Sequence, residues 1–211
     1  MMYDRPPIDS QRTAIVVVDM VNWMFTWRSE SPVGSNPGYE HHIKSVVIPN
    51  NLRLIEAGRK TGAKIIFLRV GASSTDFRDA VPGFRRLFET ADAYEGSEAF
   101  QLIDDLTVED DDLVVNKVGS GGFTSSALDL HLRRFGIEHV IYTGVASNAC
   151  VLLTAMAGFD LGYHGYIVTD ATAAKTPEMH EVALTVTADF FALGVTTQAM
   201  IELLTDISDK N

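Results

Sequence analysis

The stretch Ala14-Ile15-Val16-Val17-Val18-Asp19 decides the fold. Five apolar residues in succession, most of them β-branched, stop at one carboxylate. A strand with one wet face would alternate apolar and polar side chains. An unbroken run of this length instead predicts a strand buried on both faces, the habit of a parallel sheet covered by helices. Similar short runs recur outward along the chain at Ile65–Leu68, Leu113–Val115, Val140–Tyr142 and Tyr166–Val168, with a weaker one at Val195–Thr197.

Helical signals lie between most of these runs. Thr176-Pro177-Glu178 combines an N-cap, a first-turn proline and a first-turn acid. Arg133 and Arg134 precede Gly136, and Lys60 precedes Gly62, both as C-terminal signatures; Gly162 closes a helix that begins near Asn148. Strands alternating with helices imply an α/β protein: a three-layer, Rossmann-like arrangement with a mostly parallel six-stranded sheet and right-handed crossovers. No internal repeat or composition break divides the chain, so residues 1–211 are expected to form one domain.

Two segments interrupt the alternation. Asn22–Tyr39 carries Trp23, Phe25 and Trp27, and Ala72–Glu98 carries Pro82, Gly83 and a short helix expected around Phe84–Phe88. Both follow strands, so both leave the carboxyl edge of the sheet, where such folds bind ligands.

Charge narrows the function. Lys and Arg number 17 against 28 Asp and Glu, for a formal charge of −11. So acidic a surface repels phosphate backbones and anionic lipids, which excludes nucleic acid and membrane as expected partners. No apolar run approaches the roughly 18 residues that cross a bilayer. Met1–Arg12 is polar, with Pro6 and Pro7 and no apolar signal core, so a cytoplasmic address is expected. The chain has a single cysteine, Cys150, which cannot form an intrachain disulfide. Any thiol chemistry must run through it.

Three residues at strand ends could carry chemistry, and each also has a plainer reading. Asp19 ends the first run, where an acid also serves as a cap. Lys117 follows Leu113–Val115, although most lysines are solvated surface. Cys150 lies in the first turn of a helix if Ser147 or Asn148 is the N-cap; there the helix dipole favours a thiolate and lowers the thiol pKa. The alternative is an inert buried cysteine. Gly119-Ser120-Gly121-Gly122, after a strand and before a helix, resembles a phosphate cradle, but Thr124 stands where G-x-G-x-x-G needs its last glycine. A turn is the preferred reading. The six histidines lack metal-ligand spacing, and neither G-x-S-x-G nor H-E-x-x-H occurs. A parallel sheet gathers strand ends on one edge, so Asp19, Lys117 and Cys150 can converge into a nucleophilic unit: thiol, proton acceptor and balancing cation.

The segment Tyr142-Thr-Gly-Val-Ala-Ser-Asn-Ala-Cys150-Val151 is similar to the nucleophile segment of the isochorismatase-like cysteine hydrolases. That family includes nicotinamidases, N-carbamoylsarcosine amidases and ureidoacrylate amidohydrolases. The resemblance runs from Ala14 to about Leu204; Asp19 matches the aspartate after the first strand, and Lys117 the lysine before the Phe123 segment. Glu95-Gly96-Ser97 and Val168-Thr-Asp170-Ala171 also fall where the family has short motifs. The resemblance implies an Asp19–Lys117–Cys150 triad and a cis peptide between Val145 and Ala146. It also implies an oxyanion hole from the backbone N–H groups of Ala146 and Cys150, and a homo-oligomer, dimer or tetramer, with Asn22–Tyr39 or Ala72–Glu98 contributing to its interface.

Two departures matter. Val21 replaces the glutamine of the D-x-Q seen in many relatives, and Arg69-Val-Gly-Ala-Ser-Ser74 lacks the Asp-x-His metal-binding segment of nicotinamidases. The expectation is therefore an amidohydrolase that uses no metal or other cofactor and cleaves a C–N bond of a small amide, ureido or carbamoyl compound. Trp23, Phe25, Trp27 and Phe123 are expected around the substrate, although an aromatic trio also suits a core or an interface. Arg69 is placed on a substrate carboxylate or, equally, in a structural ion pair. The rivals are vinyl-ether hydrolysis of the isochorismatase type, which needs no cysteine, and an idle binding protein on the same scaffold, which has no use for an intact triad.

Overall fold

The computed structural model describes residues 6–25, 37–188 and 190–208. In chain order the main elements are β1 (Thr13–Val18), α1 (Pro37–His42), α2 (Ile48–Thr61), β2 (Lys64–Val70), α3 (Pro82–Ala91), β3 (Leu113–Lys117) and α4 (Leu128–Arg134). They continue with β4 (His139–Val145), α5 (Leu152–Asp160), β5 (His164–Ala173), α6 (Pro177–Ala188), β6 (Ala192–Val195) and α7 (Thr197–Ser208). A π-helical turn at Ile43–Val47 joins α1 to α2, and a second at Ser147–Val151 leads into α5.

The strands form one sheet in the order β3-β2-β1-β4-β5-β6, and every pairing is parallel. Strand β1 is buried along its whole length, as its unbroken apolar run requires. Ile15 and Val17 enter one core with Leu54 of α2 and with Met200 and Leu204 of α7. Ala14, Val16 and Val18 enter the other with Leu128 and Leu132 of α4 and Ala155 of α5. The three-layer α/β expectation is what the chain adopts.

Sequence signals at the helix ends translate directly. Gly62 caps α2 at φ 83°, its N–H bonded back to Arg59 O, and Gly136 and Gly162 take the same left-handed role after α4 and α5. Thr176 Oγ accepts from Met179 N at 3.3 Å at the start of α6. The helix expected around Phe84–Phe88 is the longer α3.

The weak run at Val195–Thr197 needs correction: the sixth strand is Ala192–Val195, and Thr197 starts α7. Its N–H and hydroxyl donate to Asp170 Oδ1 at 2.7 and 2.8 Å, an N-terminal cap supplied from another strand. Asp170 reaches it because the β4–β5 register breaks. Tyr142 pairs with Ile167 and Gly144 with Thr172, so Thr143 alone faces the bulged stretch Val168–Ala171.

The strand order reverses between β1 and β4, which opens a crevice beyond their carboxyl ends. Gly144 lets these strands close up there. Its φ is +90°, and a Cβ on it would stand 2.2 Å from Val18 O. No side chain fits.

Candidate active site

Asp19 leaves β1 directly into the crevice with φ 52°, a left-handed conformation uncommon for a residue other than glycine. Its N–H donates to Leu68 O of β2 at 3.0 Å, which pins the turn. Lys117 ends β3, and its ammonium reaches across β2 to lie 2.8 Å from Asp19 Oδ2, both side chains fully buried. The other two ammonium donors go to Gly119 O at 2.7 Å and Ser120 O at 2.9 Å. Two of the three ammonium donors are thus spent on loop carbonyls, and the charge is paired with Asp19. The glycine-rich loop therefore cradles a lysine rather than a phosphate.

Cys150 comes from the π-helical turn after β4, whose N-cap is Ala146 rather than Ser147 or Asn148. The Val145–Ala146 peptide is cis. Ala146 O accepts from both Ala149 N (3.0 Å) and Val151 N (3.2 Å), closing the turn that presents the thiol. Thr154 ties this turn to the glycine loop: its hydroxyl donates to Cys150 O at 2.6 Å and accepts from Gly122 N at 2.9 Å. Ser120 Oγ donates to Cys150 Sγ at 3.4 Å. On the far side, His180 Nδ1 meets Ser147 Oγ at 2.9 Å and Nε2 meets Thr169 O at 3.1 Å. A carbonyl only accepts, so Nε2 carries the proton and Nδ1 accepts from the serine.

Electrostatics here oppose the expectation of a lowered thiol pKa. Burial, with the neighbouring Asp19 charge second, pushes the Cys150 thiol up to about 12; Lys117 and the Ser120 hydroxyl pull the other way without prevailing. Burial also raises the Asp19 carboxyl above its ordinary value, against the pull of Lys117 and of the thiol. Apart from the Lys117 ion pair, neither carboxylate oxygen receives a well-formed hydrogen bond. The resting site thus holds a neutral thiol beside the Asp19–Lys117 pair. Moving the thiol proton to Asp19 leaves the total charge unchanged, whereas losing it to solvent would put a second anion in a dry site.

Cys150 opens on a cavity of about 160 Å³. Trp23, Met24, Val70, Phe84 and Leu87 form its outer wall, and Ala146 and Ala149 flank the thiol. Trp23 is fixed by a hydrogen bond from Nε1 to Val70 O at 2.8 Å and by an edge contact with Phe88. Both long segments thus contribute walls, one through Trp23 and Met24 and the other through α3.

The isochorismatase domain profile matches residues 13–199. The chain belongs to the isochorismatase family. Like its relatives, it is a hydrolase. It is 31% identical over 187 residues to ureidoacrylate amidohydrolase RutB of Serratia proteamaculans, covering 82% of this chain and 74% of the relative. The RutB protein of an Enterobacter species is also 31% identical, over 204 residues, 90% of this chain and 87% of the relative. Among solved structures, a cysteine hydrolase from Pseudomonas syringae pv. phaseolicola superposes with a TM-score of 0.81 at 25% identity, covering 98% of this chain and 99% of that one.

Several expected substrate contacts lie elsewhere. Phe25 packs into the core of the opposite face and borders a separate depression with Lys44, Ile48 and Ile103, because the short 3₁₀ turn Asn22–Met24 rotates it away from Trp23. Phe123 stacks on Tyr163 with ring centroids 5.5 Å apart. Arg69 donates to Asn116 Oδ1 (3.1 Å) and Gln101 Oε1 (2.9 Å) and lies over the Phe100 ring. Alternation along β2 gives Val70 to the cavity and turns its neighbour Arg69 away. Trp27 lies outside the described residues. Among the described residues no three His, Cys, Asp or Glu side chains gather closely enough to hold a metal ion. After β2, where a metal segment would fall, Asp79 accepts from Ser73 N and Asp76 from Ser74 Oγ, so both acids serve the turn.

Ser120, Thr154, Met24, Phe84 and Leu87 are the site residues that sequence reasoning did not single out. Ser120 sits inside a glycine-rich motif whose preferred reading is a turn. The apolar wall has no signature separating it from core.

Proposed function

We propose that this chain, as a single domain, is a cysteine-dependent amidohydrolase that cleaves the C–N bond of a small amide, ureido or carbamoyl compound through a thioester. The observation carrying this is the fully buried Asp19–Lys117 pair beside the chain's only thiol, which opens on a small, carbon-walled cavity. The ureidoacrylate amidohydrolases among the relatives support the reaction class.

Cys150 Sγ attacks the carbonyl carbon as its proton passes to Asp19, and the carbonyl π electrons move onto oxygen. The N–H groups of Ala146 and Cys150 would receive that oxyanion. Collapse expels the amine or ammonia with the proton from Asp19. Water, deprotonated by the same carboxylate, then attacks the thioester, and the C–S bond breaks to release acid and restore the thiol. Lys117 remains charged and keeps Asp19 able to accept a proton in surroundings that otherwise favour its neutral form. The carbon walls fit a small, flat acyl group and exclude bulk water from the thioester. Trp23 and Phe84 would contact the substrate. We also propose a cytoplasmic address and a homo-oligomer; a light-scattering mass well above 23.1 kDa supports the latter, and a mass at that value refutes it.

Ammonia release across ureido acids, carbamoyl compounds and simple amides identifies the substrate. Cys150→Ala, folded by circular dichroism, is expected to abolish turnover of that substrate. Retention of wild-type turnover would overturn the cysteine mechanism.

A further inference from the structure

We propose that Ser120 is a catalytic residue of this site, its hydroxyl acting as a fixed hydrogen-bond donor to the nucleophilic sulfur whenever that sulfur carries negative charge. The inference rests on the reading of Cys150 as nucleophile.

The geometry is a built one. Ser120 Oγ lies 3.4 Å from Cys150 Sγ, within the reach of a hydrogen bond to sulfur. Its position is set by the same lysine that serves the proton acceptor. Lys117 Nζ holds Gly119 O and Ser120 O while it pairs with Asp19 Oδ2. One residue later, the loop is fastened by Ser125 Oγ on Gly121 O at 2.6 Å and by Gly122 N on Thr154, whose hydroxyl also grips Cys150 O. Serine and thiol are therefore tied into one hydrogen-bonded unit.

The chemistry follows from the cost of charge in this site. Among the sulfur's described neighbours, the hydroxyl is a neutral donor that needs no proton transfer to act. In the first step the thiol proton goes to Asp19 and the new S–C bond forms, with the Ser120 O–H aimed at the sulfur throughout. In the second step water adds to the thioester, the S–C bond breaks, and the electron pair returns to sulfur. The same O–H receives that charge before Asp19 returns the proton. Ser120 gains and loses nothing. A hydrogen bond to an ionised group is commonly worth about a tenfold or greater change in equilibrium.

The test compares Ser120→Thr with Ser120→Val, side chains of nearly equal shape that differ by hydroxyl against methyl, alongside Ser120→Ala. Alkylation of Cys150 by iodoacetamide at fixed pH, with Cys150→Ala as the blank, reads the thiolate without any substrate. We expect Ser120→Val and Ser120→Ala to alkylate about tenfold more slowly than wild type, and Ser120→Thr to remain within about twofold. On the substrate found by ammonia release, kcat should fall for valine and alanine with KM nearly unchanged. Equal alkylation rates for the threonine and valine variants overturn the proposal even if Ser120→Ala fails to fold. Full hydrolysis by Cys150→Ala would instead sink the cysteine reading beneath it, so the two failures are distinguishable.

Discussion

Asp19 and Lys117 are each unfavourable alone where they stand, and their stability is a property of the pair. A buried carboxylate or ammonium without its partner costs several kcal/mol. Lys117→Met should therefore destabilise the fold by about 3 kcal/mol or more, seen as a lower urea midpoint, and reduce turnover at least about a hundredfold. Asp19→Asn removes the proton acceptor and should cost a similar factor in rate. Together they should lose far less than the product, because groups acting as one unit are not additive. The pH profile follows from the same burial. Catalysis needs Asp19 ionised and the thiol protonated. With the carboxyl raised above 3.8 and the thiol pushed up to about 12, activity should fall on the acid side at a pH above the ordinary carboxylate range. It should show no alkaline limb before the protein itself fails. An alkaline limb near the ordinary thiol pKa of about 8.5 would mean a solvated cysteine. The convergence of the three was legible in the sequence because each sits at or just beyond the carboxyl end of a strand. The direction of the thiol shift was not, because the helix terminus is visible in sequence whereas burial and a carboxylate from another strand are not.

At the scale of elements, the site depends on how closely β1 and β4 approach and on where β5 bulges. Gly144→Ala would drive a Cβ to within 2.2 Å of Val18 O, backbone that cannot swing aside, and would also meet the left-handed strain at φ +90°. We expect a loss of at least about 3 kcal/mol in denaturant unfolding. Turnover should drop with it, since Val18 sets the position of Asp19. Asp170→Ala is milder: it removes the cap on Thr197 and should cost about 1 kcal/mol without changing kcat. An unchanged unfolding midpoint would show that the α7 terminus finds another partner. Five of the six strands could be read from apolar runs, and α2, α4 and α6 from their caps. The misplaced sixth strand shows where that reading stops. Val195-Thr196-Thr197 has strand propensity throughout, but a carboxylate from a bulge distant in sequence starts a helix at Thr197. Long-range capping leaves no local trace.

For the whole molecule, the sheet separates chemistry from acid sensitivity by placing them at its opposite ends. The carboxyl edge holds the triad at the strand-order reversal, a placement that follows once the runs are ordered in a parallel sheet. At the amino edge His139 and His164 begin β4 and β5 in register, their rings 5.2 Å apart. His139 is buried, and its Nδ1 finds no hydrogen-bond partner among the described residues. Burial first, and the neighbouring His164 second, lower its pKa from 6.5 to about 4. A histidine with a depressed folded pKa is kept neutral by the fold. Its contribution is fully present above the unfolded value of about 6.5 and is lost as pH falls toward 4, where the unfolded chain binds the proton and the native state does not. Stability should therefore decline by something of order 2 kcal/mol across that window. His139→Gln should flatten this part of the curve, measured as unfolding midpoint against pH, while leaving the acid limb of kcat where Asp19 sets it. If the variant instead moved the kcat limb and left the stability slope intact, the two ends of the sheet would not be independent.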